Sequence, residues 1–112
     1  GLGGGAKMIA VIFEVQPKPA HARTYFDIAA ELKAELELID GFISVERFES
    51  LTEKGKFLSL SFFKNEEAVA KWRTHAQHRD AQTRGKDELF AGYRIRVAQT
   101  VRDYGHGVIL VD

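Results

Sequence analysis

A chain of 112 residues with 16 Lys plus Arg, 16 Asp plus Glu and no cysteine has room for one domain and carries no net formal charge. The charge balance argues against a nucleic-acid or anionic-membrane partner, and the missing cysteines exclude disulfides, thiolate metal sites and a cysteine nucleophile. The composition is that of an ordinary globular domain, fits a cytoplasmic setting, and holds no apolar run near the roughly 20 residues that span a bilayer.

The opening GLGGGAK, residues 1–7, reads as a flexible leader, and Met8 looks like a natural start. Residues 9–15, IAVIFEV, form a β-branched and aromatic run and are expected to be a strand. Ile9, Val11, Phe13 and Val15 share one face, with Ala10 and Ile12 on the other, so both faces call for cover. Pro17 and Pro19 end that strand and introduce a helix over 20–38. Its buried stripe is Tyr25, Ile28, Ala29, Leu32 and Leu36. Asp40-Gly41 stops it, because glycine accepts positive φ at little cost.

Strands are expected at 42–49 and 56–63, joined by a turn at Glu53-Lys54-Gly55. Asn65 is placed to cap a second helix, with Glu66 and Glu67 at its positive end. Val69, Trp72 and Ala76 form its stripe, and a break is expected near 75–77 with a restart towards Phe90. A last strand covers 93–102, where Tyr93, Ile95 and Val97 oppose Arg94, Arg96 and Arg102. Residues 105–112 form a tail in which 108–111 could add a short strand.

The order is β-α-β-β-α-β. It predicts an α+β domain over 8–104 of the ferredoxin-like type, a four-stranded antiparallel sheet with two helices on one face. The uncovered sheet face then needs a partner, and a second copy packed sheet to sheet is the simplest one.

Chemistry concentrates between 71 and 97. The only tryptophan, Trp72, stands there with His75 and His78, among Arg73, Arg79, Gln82 and Arg84. Trp72 serves either as a wall for a planar ligand or as a core residue between helix and sheet. His78 reads as a general base, since an imidazole accepts a proton near neutral pH, or as a surface histidine. His75 and His78 are three apart and lack a third ligand pattern, so no metal site is expected. His21 and His106 read as solvated. The arginines of the last strand could bind an anion, or pair with Glu46 and Glu14 across strands.

Taken together, MIAVIFEV, DGFISVERFES, FLSLSFFKNEEAVAKW and WRTHAQHRDAQ followed by YRIRV resemble the antibiotic-biosynthesis monooxygenase family. The resemblance covers Met8 to about Tyr104. It implies a homodimeric α+β barrel joined through the open sheet face, with a pocket between the helices and sheet of each subunit. It also implies oxidation of a small planar aromatic, a phenol or quinol, by dioxygen without cofactor. In that reading Trp72, Arg79 and Gln82 bind the substrate, and His78, with His75 second, handles the proton. The haem-degrading branch fits less well, because Val11 and Gln82 stand where its asparagine and axial histidine are wanted. A non-catalytic dimeric binding or structural domain of the same fold is the alternative.

Overall fold

The computed structural model describes residues 8–82 and 86–107, apart from the side chains at 78, 80–82, 86 and 87. Four strands form one antiparallel sheet in the order β2-β3-β1-β4. They are β1 (Ile9–Pro17), β2 (Phe42–Glu49), β3 (Phe57–Phe63) and β4 (Phe90–Gln99). A 3-10 turn at Pro19–His21 leads into α1 (Ala22–Leu36), and α2 (Glu66–Gln82) follows β3. A short α3 (Lys86–Leu89) then runs straight into β4. This is the ferredoxin-like arrangement that the β-α-β-β-α-β order predicts.

Register decides which side chains meet the helices. In β1 and β3, Ile9 lies opposite Phe63, Val11 opposite Ser61, Phe13 opposite Ser59 and Val15 opposite Phe57. A period of two therefore puts all eight on one face. Two buried clusters form against that face. One joins Ile9, Phe63, Leu36, Ala68 and Val69; the other joins Val15, Tyr25 and Ala29. Aromatic rings, Phe63 and Phe57, anchor the sheet at each cluster. Between them on β3 stand only the small side chains of Ser59 and Ser61.

Local signals act as their chemistry requires. Gly41 has φ +93° after α1, and Gly55 has φ +85° in the β2–β3 turn. The Ala68 N–H donates to Asn65 Oδ1 at 3.0 Å, capping α2.

Three expectations are corrected. The break expected near 75–77 is absent, and α2 runs unbroken from Glu66 to Gln82. No glycine or proline interrupts that segment, and His75 and Arg79 tie it to α1. The last strand starts at Phe90 and ends at Gln99, because Phe90 pairs with Pro17 past an irregularity in β1. The first helix is shorter than 20–38, its opening turn wound as 3-10 behind Pro19. The expected leader, 1–7, and the expected strand at 108–111 lie outside the described residues.

Candidate active site

The gap left by the two serines is a cavity of about 220 Å³ between the helices and the sheet. From α1 come Tyr25, Ile28, Ala29, Leu32 and Leu36, the stripe expected to be buried. From the sheet come Val11, Phe13, Val45 and Ile95 beside Ser59 and Ser61. Trp72 and Ala76 of α2 supply another wall, and Leu89 with Phe90 supply the end. An engineered cavity of about 150 Å³ holds benzene, so this one takes a ring with substituents.

Few polar groups reach it. Arg47 projects from β2 on the same face as Val45, and Lys33 stands at the exposed rim. The Nε of Arg47 is buried and has no hydrogen-bond partner. Burial pushes the Tyr25 phenol above its ordinary pKa, while the nearby Arg47 guanidinium pulls less strongly the other way. Tyr25 is therefore a neutral hydroxyl at neutral pH, able to donate a hydrogen bond. The sequence reading placed Tyr25 in the buried stripe but gave no site role to it, to Arg47 or to the two serines. The signal was present in FLSLSFF, whose inward positions read Phe-Ser-Ser-Phe once the register is known.

The residues singled out by sequence take different places. Trp72 lies on the cavity wall. His75 stacks on Trp72, with ring centroids 5.5 Å apart and planes 28° from parallel. Its Nε2 is hydrogen-bonded to Glu35 Oε1 of α1, and His75 is not among the described wall residues. Arg79 Nη2 donates to Glu31 Oε2 at 3.2 Å, and its Nε lies 3.6 Å from Glu35 Oε2. Glu35 thus fastens two residues of α2 from behind Trp72. The side chains of His78 and Gln82 lie outside those described. Among the described residues no group of three His, Asp or Glu side chains is placed to hold a metal ion.

The β4 arginines stand on the opposite sheet face from Ile95. There Arg96 Nη1 donates to Glu14 Oε2 at 2.5 Å, and Lys56 Nζ lies 3.0 Å from Glu14 Oε1. Lys56 first and Arg96 second hold the Glu14 carboxyl below its usual pKa. Arg96 follows the cross-strand pairing with Glu14. Tyr93 lies on the helix side, its ring centroid 6.0 Å from that of Phe13, yet it is 47% exposed because β4 is an edge strand.

The family model for antibiotic biosynthesis monooxygenase matches residues 8–84, most of the described chain and the elements around this cavity. The chain belongs to the antibiotic biosynthesis monooxygenase family. Over 92 residues, 82% of this chain, it is 47% identical to the Pyricularia oryzae protein named jasmonate monooxygenase ABM, of which it covers 43%. It is 29% identical over 62 residues to YqjZ of Bacillus subtilis, covering 55% of this chain and 53% of that protein. The chain therefore spans about half the length of the curated relatives it matches. A Mycobacterium tuberculosis structure superposes with TM-score 0.74 at 19% identity, over 88% of this chain and 99% of that one. A Caulobacter crescentus structure assigned to antibiotic biosynthesis monooxygenases gives 0.73 at 20%, over 87% and 92%. Such identities establish the shared fold alone, so within the family the chemistry of this member must be argued from its own cavity.

Proposed function

We propose that this chain is a cofactor-independent monooxygenase that oxidises a small cyclic molecule, a phenol or quinol, inside the helix–sheet cavity. The observation that carries the reading is a largely apolar cavity walled by the only tryptophan. In the reaction the substrate supplies four electrons to dioxygen; one oxygen atom enters the ring and the other leaves as water. The protein binds the ring against Trp72, takes the phenolic proton and keeps water away from the intermediate. His78 is assigned the proton, with His75 second; the bond to Glu35 would hold His75 against Trp72. Gln82 is kept as a polar contact to oxygen. The pairing of Arg79 with Glu31 and Glu35 supports a part in fastening α2 to α1.

Oxygen uptake across a panel of quinols and phenols tests this. Uptake is expected with the wild type and is expected to fall by about 100-fold or more in His78→Ala. No uptake with any of them would leave a binding domain without chemistry. Undiminished uptake in His78→Ala would remove His78 as the base. The relative named a jasmonate monooxygenase favours a second reading of the substrate, a jasmonate-like molecule lying along the aliphatic α1 wall, and jasmonate belongs in the same panel.

We also propose that the working form is a cytoplasmic homodimer joined through the open sheet face. Ile12, Leu60 and Phe62 share that face and are only half covered in the single chain, and Phe48 is 42% exposed. Family membership supports the same arrangement. Light scattering is expected to return twice the chain mass, and Phe48→Glu is expected to halve it; a wild-type monomer would contradict the dimer.

A further inference from the structure

The cavity is apolar, but its charged groups are of one sign. Arg47 and Lys33 line it, and no acidic side chain does among the described residues. That is not inherited from the chain as a whole, whose acidic and basic residues balance at 16 each. The neighbouring carboxylates are committed elsewhere, Glu31 and Glu35 to His75 and Arg79, and Glu14 to Lys56 and Arg96 on the other face of the sheet.

Arg47 stands out from the other cations. Its Cα pairs with Ser59 across β2 and β3, and period-two alternation sends its side chain to the helix side with Val45. Its Nε is buried without a hydrogen-bond partner, as is that of Arg79, but Arg79 and Arg96 each stand against carboxylates, and none is paired with Arg47 among the described residues. A buried guanidinium donor without an acceptor is costly, and a fold that keeps one is set up to receive an acceptor from outside. Around it Ser59, Ser61 and the neutral Tyr25 can donate hydroxyl protons to the same acceptor.

We propose that Arg47 is the anchor of an oxyanion site on the sheet side of the cavity, so that the bound molecule carries a carboxylate or phenolate head on a small apolar body. This rests on the reading of the cavity as the substrate site. The guanidinium fork meets the two oxygens of a carboxylate side by side, and meets a phenolate through one or two N–H groups. The head is fixed on β2, and the apolar body lies between Trp72 and the α1 stripe. Arg47 then decides both which molecules bind and which end of them faces Trp72.

Calorimetric titration tests this without turnover. Para-ethylbenzoate is compared with its neutral counterpart para-ethylbenzamide, and para-nitrophenol is compared on either side of its own ionisation. The wild type is expected to bind at least one anion about tenfold or more tightly than its neutral form. Arg47→Met is expected to remove that preference by weakening the anion far more than the neutral form, and Arg47→Lys to retain part of it. Preference for the benzoate alone assigns a carboxylate, and preference for the nitrophenolate alone assigns a phenolate. Binding of neither anion, equal binding of charged and neutral forms by the wild type, or a preference that survives Arg47→Met overturns the proposal. The wild-type comparison stands even if a variant fails to fold. Anion preference without oxygen uptake would spare this site and defeat the monooxygenase reading; uptake of neutral phenols that Arg47→Met leaves unchanged would do the reverse.

Discussion

Gly41→Ala is expected to lower the stability of the fold by about 2–5 kcal/mol, combining a backbone cost of about 1–2 with an overpacking cost of about 1–3. Gly41 has φ +93°, a conformation that side chains with a Cβ resist. A Cβ built there would also lie 2.7 Å from the Cβ of Ala68, which is buried in the first core cluster. A folded domain has only about 5–15 kcal/mol to lose, so the variant should show a much earlier urea midpoint at an unchanged slope. Adding Ala68→Gly removes the steric part and leaves the backbone part. The double variant is therefore expected to be more stable than the sum of the single losses predicts. Additive losses would show that the close contact has no energetic weight. The effect should reach the site as well. Gly41 O accepts the Lys64 N–H at 2.7 Å just before α2 begins, so this junction sets where α2 rests on the sheet and where Trp72 is held.

The second large effect is expected at Trp72. Trp72→Ala removes a wall of the cavity and its stacking on His75, and it takes apolar area from the first core cluster. Large aromatic truncations in full burial cost about 3–5 kcal/mol, and the partial exposure of this ring brings the expected loss to about 2–3 kcal/mol. The loss of oxygen uptake should be larger in proportion, about 100-fold or about 2.7 kcal/mol in the barrier, since the ring would no longer be held in one plane. Val69→Ala provides the control. Val69 is buried one turn earlier on the same stripe, in the first cluster, and is not on the cavity wall. It should lower stability and leave uptake of the folded enzyme nearly intact. Equal loss of uptake in both variants would reduce Trp72 to a packing residue.

Much of this architecture could be read along the chain, because the deciding signals are local. The alternation of residues 9–15 sets Ile9, Val11, Phe13 and Val15 on one face, and that face of β1 does meet the two core clusters. The stripe from Tyr25 to Leu36 fixes the inner face of α1, and Asn65 fixes the start of α2. The errors arose where distant groups decide. The expected break near His75 is overruled by Glu35, a partner 40 positions away, and the start of β4 is set by pairing with Pro17. The site was half legible for the same reason. Trp72 announced itself by rarity and spacing. Arg47 looked like one more charge in VERFES, because nothing local says that residue 47 turns inward while Glu46 turns out. The serines of β3 had no role assigned to them. Their meaning appears only when Phe57 and Phe63 are seen to hold the two ends of the core apart.

A single indole placed on the cavity wall also makes the molecule its own reporter. With one tryptophan in the chain, all of its long-wavelength ultraviolet emission originates at Trp72, beside whatever occupies the cavity and against the imidazole of His75. Occupancy of the cavity can therefore be followed in unlabelled protein as a change in colour and brightness, free of background from any second indole.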